Sequence, residues 1–424
     1  MFEFDRDFEL ELSSVELKRK NFTQIWKYGE GGSVSSSPIL YDGVVYFGSM
    51  DHYVYAVECE AGKLVWKFKT GGQISDGSPF VADGVVYAGS YDGKIYALDP
   101  KTGKELWQYK VGGEIFASPF ISGRRVYFGS RDRSVYCIDK NTRREIWRFQ
   151  TGGEVCCCPT VIGKAVYVGS YDGNFYCLGA ETGEEIWRFK TGQNLMIALP
   201  LLTHFRNLVC FGSMDSNVYG LDMETGKEVW RFRTGGWIIG QPSVFGDVVY
   251  FISQDGFFYS LHADSGQEKW RFRVEGGESD GGSPLVHGDV VYFGSSNGNF
   301  YALDKHTGEQ IWRFRAGDVI FSTPSIYKNL IFFGCWDCHV YCLDIKNGKE
   351  VWRFQTSIKT PCYLPPPSQW FEFEVDIKEE EQELARREYG KNVDVTQAET
   401  MESEYSFKSE YHFKSEYHTK SEYR

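Results

Sequence analysis

SPFVADGVVYAGSYDGKIYALDPKTGKELWQYKVGG, residues 78–113, decides the fold. Four short apolar runs are separated by three turn signals. Ala82-Asp83-Gly84 closes the first run, Tyr91-Asp92-Gly93 the second and Lys101-Thr102-Gly103-Lys104 the third. Asp-Gly suits the positive-φ demands of a type I′ hairpin, and Gly103 supplies a left-handed position. Val85, Val86, Tyr87, Ile95, Tyr96, Leu106 and Trp107 are types that fit a pleated surface, and no run is long enough for an ordinary helix. The stretch reads as a four-stranded antiparallel meander, its strands called A to D.

The same pattern recurs along the chain. Trp26, Trp66, Trp107, Trp147, Trp187, Trp230, Trp270, Trp312 and Trp352 stand 40 to 43 residues apart. A period of this size means stacked copies of one small unit. A meander has two faces and buries both only by packing neighbours around an axis, which is a propeller. Strand A starts at a proline in each copy: Pro38, Pro79, Pro119, Pro159, Pro200, Pro242, Pro284 and Pro324. The expected fold is therefore all-β, an eight-bladed β-propeller of four-stranded antiparallel blades with tryptophan docking, plus short N-terminal and C-terminal extensions. The glycine of the Tyr-x-Gly-Ser stretch (Gly48, Gly89, Gly129, Gly169, Gly294) leaves room for close packing. Nine tryptophan strands for eight A-B-C sets leave one over. The linker after Trp26 matches the internal linkers, so the strand around Trp26 is expected to complete the last blade, with Trp352 extra or displaced. The reverse assignment is the alternative. The boundaries read as 1–21 N-terminal extension, 22–360 propeller, 361–400 Pro-rich linker and C-terminal extension, and 401–424 hexapeptide-repeat tail.

The segment Ala97 to Trp107, A-L-D-x-x-T-G-K-x-x-W, returns at Ala302 to Trp312 with Glu309 in place of Lys. It resembles the pyrroloquinoline-quinone (PQQ)-like repeat of the quinoprotein alcohol dehydrogenase-like superfamily, over roughly residues 26 to 356. The resemblance implies an eight-bladed ring with indoles between blades. It spans quinoprotein dehydrogenases, the assembly lipoprotein BamB, sensor domains and propellers without known activity, so it does not select a function.

Composition narrows the classes. The formal net charge is -12, which argues against nucleic acid or an anionic membrane as main partner. Met1 to Leu10 is acidic and alternating, without a basic start or an apolar core, and no run of 18 apolar residues occurs. A cytoplasmic location is expected. Eleven cysteines, in that context, read as free thiols.

Three cysteine patterns invite chemistry. Cys335-Trp-Asp-Cys338-His339 spells a haem-attachment motif, and with Cys342 a zinc set. In the repeat it falls on the B-to-C hairpin of the eighth blade, where adjacent residues point to opposite faces. Cys137, Cys177 and Cys342 share a position with Ala56, Ala97, Ala302 and Gly220, which asks for a small buried residue. Cys156-Cys157-Cys158 resembles the adjacent cysteines of PQQ-dependent methanol dehydrogenases. Yet Cys157 aligns with Ser36, Gly77, Ala117, Ala198, Gly240, Gly282 and Ser322, all small, and Cys158 aligns with Ser37, Ser78 and Ser118. Packing is the favoured reading of all three.

Propellers bind at the mouth of the axial channel, where the linkers before strand A gather. The candidate mouth residues are Asp76, Phe116, Cys156, Ile197, Trp237, Ile239 and Phe321, an apolar set with Glu114, Glu154, Glu278, Asp280 and Asp318 nearby. Pocket and plug are equally open readings. A Ca²⁺-bound PQQ wants converging oxygen ligands, a carboxylate base and cations for its carboxylates. No such set is legible, and Arg124, Arg125, Arg131, Arg133, Arg143 and Arg144, on turns and strand ends of the third blade, read mainly as a solvated basic patch, with a docking surface as the alternative. Catalytic residues and a resident cofactor or metal are therefore not expected, and the Asp-Gly pairs read as turns.

At the ends, Trp370 to Ile377 and Phe2 to Asp5 alternate with period two and are expected to pair with each other or with a blade edge. The tail repeats SEYSFK, SEYHFK, SEYHTK, SEYR. It reads either as a disordered segment or as an aromatic strip for β-augmentation of a strand edge. The reading reached is a non-enzymatic protein-interaction scaffold with a protein partner. The alternatives are a quinone-dependent dehydrogenase or small-ligand sensor using the axial mouth, and an envelope assembly factor resembling BamB.

Overall fold

The computed structural model describes residues 32–75, 77–192, 207–276 and 281–356, together with the strands Glu16–Lys18 and Glu374–Asp376. The chain forms two compact units, Gln24–Pro366 and Met1–Thr23 with Pro367–Arg424. In the second, Glu16–Lys18 pairs antiparallel with Glu374–Asp376, Leu17 opposite Val375. The C-terminal alternating segment thus finds an N-terminal partner at 16–18; Phe2 to Asp5 lie outside the described residues.

The first unit holds eight antiparallel sheets in chain order. Seven have four described strands. The fifth has three, Leu208–Gly212, Asn217–Asp222 and Glu228–Arg233, because the segment around Pro200 lies outside the described residues. In blade 2 the strands are Phe80–Ala82 (A), Val85–Ser90 (B), Lys94–Leu98 (C) and Glu105–Lys110 (D). Tyr87 faces Ala97, and Ala97 faces Trp107. Every blade repeats this last pairing, with Ala56, Cys137, Cys177, Gly220, Ser260, Ala302 or Cys342 opposite the indole. A Cβ on Gly220 would lie 2.3 Å from Trp230. The small-residue requirement is therefore the footprint of the tryptophan across the strand pair.

Each indole joins its blade to the next. Trp66 Nε1 donates to Pro100 O at 2.8 Å, Trp187 to Met223 O at 3.0 Å and Trp312 to Ile345 O at 3.1 Å. Four such acceptor carbonyls take a second donor from a strand-B tyrosine, as Pro100 O does from Tyr46 Oη at 3.0 Å and Met223 O from Tyr167 Oη at 3.3 Å. Between them the indole plane covers the glycine of the C-to-D turn. Gly348 has φ +68, and a Cβ there would sit 2.5 Å from Trp312. Only a residue without a side chain permits both the left-handed backbone and that approach.

The ring closes in the same way. Trp352 lies in strand D of blade 8, Glu350–Gln355, paired with His339–Asp344, and its Nε1 donates to Cys59 O of blade 1 at 3.0 Å. This corrects the expectation that Trp26 completes the last blade. Trp352 belongs to its own blade and reaches forward, and among the described residues no strand is exchanged between the propeller's sheets; Trp26 lies outside them. Phe332, Val340 and Cys342 share one core with Val45, Phe47 and Val57.

Two further devices hold the hub. The residue before the strand-A proline donates its backbone N–H to the side chain at the same place in the next blade. Ser37 donates to Ser78 Oγ (2.8 Å), Ser78 to Ser118 Oγ (2.7 Å) and Ser118 to Cys158 Sγ (3.1 Å). Thr323 donates to Ser37 Oγ at 2.9 Å, which carries this belt across the junction of blades 8 and 1. One residue earlier, the side chain bridges to the strand-B glycine. Ser36 Oγ does so on Gly48, Ser322 on Gly334, and Cys157 Sγ on Gly169 O at 2.8 Å. The Cβ of Gly48 would lie 2.1 Å from Ile74, a linker residue of the next blade. The glycine's close-packing role is thus to seat that linker.

The Asp-Gly hairpins also act between blades. Asp92 accepts the backbone N–H of Lys94 at 3.1 Å, the hydroxyl of Tyr96 at 2.5 Å and the N–H of Gly71 at 3.1 Å. Gly71 follows strand D of the previous blade, so the carboxylate buckles one blade to the next.

At the circumference every strand D carries a β-bulge at the residue before the tryptophan. The bulged residues Val65, Leu106, Ile146, Ile186, Val229, Ile311 and Val351 are 37 to 55% exposed, and Lys269 takes the place in blade 6. Bulges and flanking cations guard an edge strand against strand addition.

Two outcomes follow. Gly348→Val destabilises the chain by roughly 2–4 kcal/mol in denaturant unfolding, combining backbone strain with overpacking. Gly163→Ala, with φ +59 and open space around its Cβ, costs about 1 kcal/mol by backbone strain alone. Equal costs for the two would refute indole contact as the constraint. Second, burial pushes the thiols of Cys137, Cys177 and Cys342 up from 9.0 to about 12. Above the unfolded thiol range the folded chain keeps protons that the unfolded chain has released. Stability is full below about pH 9 and falls as pH rises toward about 12. Replacing these three by alanine, as in other blades, flattens the alkaline decline of the denaturation midpoint; an unchanged slope would exclude the thiols as its source.

Candidate functional site

The D-to-A linkers and the B-to-C hairpins form one rim of the hub. Each linker is pinned twice. Ile115 N donates to Ser90 O of blade 2 at 3.2 Å, and Glu114 O accepts from Arg131 N of blade 3 at 2.9 Å. Val155 and Glu154 repeat this between blades 3 and 4, on Ser130 O and Tyr171 N. The apolar linker residue turns inward onto the strand-B glycine, which leaves its neighbours at the rim.

Five of the seven expected mouth residues are described there. Phe116 stacks on Tyr91 of the preceding blade, ring centroids 5.5 Å apart at 22°. Phe321 lies 5.1 Å from Trp336 of its own hairpin. Cys156 is buried with its Sγ 3.9 Å from Glu154 Oε2. Burial and the Glu154 charge push its thiol up to about 12. Trp237 and Ile239 are half-buried, with Ile238 between them fully buried. Asp76 and Ile197 lie outside the described residues, as do Glu278 and Asp280. Phe116, Cys156, Ile239 and Phe321 hold the same place on four linkers, Trp237 stands two residues before Ile239, and Phe116, Cys156 and Phe321 each touch groups of the hairpins or linkers beside them.

The sequence reading missed the hairpin side of the rim. The residue after the strand-B serine or cysteine varies from blade to blade: Met50, Tyr91, Arg131, Tyr171, Met214, Gln254, Ser296 and Trp336. That variability at an otherwise fixed place was the available signal. Arg131 is the main correction. It is no part of a solvated patch but bridges two linkers, Nη1 to Glu114 Oε2 at 2.9 Å and Nε to Glu154 Oε2 at 2.8 Å. Trp336 Nε1 donates to Ser35 Oγ at 2.8 Å and so ties blade 8 to blade 1.

The Cys335-x-x-Cys338-His339 segment is a hairpin. Cys335 opposes His339 in register, and Cys338 takes the left-handed turn position with φ 70. His339 Nδ1 lies 2.9 Å from Asp337 O. Burial works against the Asp337 carboxylate, but hydrogen bonds from His339 and Tyr341 outweigh it and hold the group below its ordinary range. The ten described cysteines form no disulfide with one another. Among the described residues no group of three or more His, Cys, Asp or Glu side chains converges to hold a metal ion. With Arg131 already held by two carboxylates, the described rim does not fit a Ca²⁺-bound quinone. No helix among the described residues is long and apolar enough to cross a membrane.

Solved structures share this architecture. A computationally designed protein, Ika8, is 18% identical with a TM-score of 0.67, covering 75% of this chain and 98% of its own. BamB from Moraxella catarrhalis is 18% identical with a TM-score of 0.62, covering 76% and 96%. Quinohemoprotein alcohol dehydrogenase from Comamonas testosteroni is 15% identical with a TM-score of 0.65, covering 78% and 76%. At such identities the likeness is one of fold alone. No curated protein sequence matches the chain. The PQQ_2 family model, described as outer membrane protein assembly factor BamB, matches residues 13–130, 50–158, 111–222, 198–299 and 259–369. These overlapping matches run the length of the propeller, and the chain belongs to the PQQ_2 family.

Proposed function

We propose that this propeller is a non-catalytic platform for protein partners. The observation that carries the reading is the division of labour between hub and circumference. At the hub, several described polar groups that could meet a ligand hold blades together instead. Arg131 is neutralised by Glu114 and Glu154, the Trp336 indole N–H is taken by Ser35, and the Cys157 and Cys158 sulfurs serve the inter-strand and inter-blade bonds. At the circumference, exposed aliphatic bulge residues alternate with arginines such as Arg188, Arg231 and Arg353, each clamped by a glutamate three residues earlier. Aliphatic anchors beside oriented guanidinia suit protein recognition. The family description, an assembly factor, supports the same class of role. That the ten described cysteines form no disulfide with one another supports a reducing compartment.

The bulges also bear on how a partner binds. Beyond each bulge only the last four residues of strand D, such as Trp66 to Lys69, continue the regular register. Side-chain docking therefore suits the rim better than a long added strand. Strand addition by the tail, residues 401–424, would have that short stretch to pair with.

Two measurements test the reading. Calorimetry of the purified chain with PQQ and Ca²⁺ is expected to give no saturable heat, whereas micromolar binding would overturn the platform. Arg131→Ala is expected to lower stability by about 1–2 kcal/mol, because two carboxylates lose their shared cation in a partly buried place. An unchanged unfolding midpoint would mean that Arg131 is free for a ligand.

A further inference from the structure

Blade 3 breaks the docking rule that the other blades obey. The C-to-D turn of the seven others ends on a left-handed glycine beneath the preceding indole. In blade 3 that residue is Arg143, with φ 60 and an exposed side chain, and the facing Trp107 lacks, among the described residues, the inter-blade Nε1 hydrogen bond that the other seven indoles make. A left-handed arginine is a strained choice where glycine is the rule, and such outliers mark places where something other than stability decides the residue.

The surroundings indicate what that is. Arg144 is next in sequence, and its carbonyl accepts from Asp139 N at 2.9 Å. Arg124, on the neighbouring A-to-B turn, accepts from Lys140 N at 2.9 Å. Arg124, Arg143 and Arg144 are exposed together at one corner, and Lys101 and Lys104 stand exposed on the adjoining turn of blade 2. The other cations of the corner are matched from flanking blades, Arg125 by Glu181 at 3.4 Å and Lys140 by Asp83. Arg124 meets Asp139 at 3.3 Å with its guanidinium two-thirds exposed, and Arg143 and Arg144 have no ion pair among the described residues. The same turns in blades 4 to 7 carry exposed acids instead, among them Glu181, Glu224, Asp264 and Asp289.

The geometry points to the turn corner of blades 2 and 3 as the docking surface for a short acidic segment of a partner protein, with Arg124, Arg143 and Arg144 as its carboxylate receptors. This deepens the platform reading and rests on it. Guanidinium forks bind carboxylates in two-point fashion, and their preference for them over lysine-type contacts fits three arginines at one corner. A nucleic acid is the poorer occupant. The chain is net -12, and the acidic turns of blades 4 to 7 repel an extended polyanion that overruns the patch.

The test is fluorescence anisotropy of a labelled octaglutamate titrated with the full chain at low salt. Saturable binding that weakens as salt rises is expected. Arg124→Gln with Arg144→Gln weakens it about tenfold. Arg143→Gly weakens it about threefold while raising the thermal midpoint, so the loss is not one of folding. Unchanged affinity in both variants overturns the assignment. So does an oligothymidylate of equal length that binds as tightly as octaglutamate. These results remove only this surface, because the platform reading falls on the separate quinone titration.

Discussion

The fold depends on a flat indole laid over a bare stretch of backbone. A glycine in the left-handed turn of one blade admits the tryptophan of the blade before it to within van der Waals reach, and the carbonyl beside that turn receives the indole N–H. Burial of so large a ring supplies the hydrophobic gain, the hydrogen bond removes the cost of hiding its one polar atom, and at four joints a tyrosine hydroxyl shares the same carbonyl. Repetition of this joint sets the spacing between sheets. Once the spacing is set, the linker valines and isoleucines can fill the notch above the strand-B glycines, and the serine belt comes within hydrogen-bonding distance around the axis.

This economy has a consequence for chemistry. Groups that look reactive in the sequence are structural in the ring. Cys157 does for blade 4 what Ser36 and Ser322 do for blades 1 and 8, and Cys158 accepts the bond that serine accepts elsewhere. Desolvation then holds the Cys157 thiol in its protonated form. Asp92, Asp172, Asp215, Asp255 and Asp337, which have the composition of a cation loop, have their oxygens occupied by a tyrosine and by backbone N–H groups from two blades.

Much of this was legible because the repeat supplies its own controls. Eight aligned copies showed that the place opposite Trp107 must be small, and the register explains it. The closing blade was misread for a physical reason. The residues after Trp26 match the internal linkers, but linker similarity reports where a chain passes the hub, not which sheet its strand joins. Arg131 was misread because a sequence lists it beside Arg124 and Arg125, whereas strand B carries it to the opposite end of the blade. Arg143 was visible as a departure from Thr-Gly-Lys, yet its meaning needed the positive φ and the exposed side chain.

One feature of the closure reaches further. Each sheet is made from one uninterrupted length of chain, and the seam between Trp352 and Cys59 uses the same joint as the boundaries other than that of blades 2 and 3. The peptide linkers are then interchangeable in kind with the seam. A circular permutant that starts at another linker would keep all eight sheets whole, so descendants of such a gene are free to move their appendages to a different spoke of the wheel.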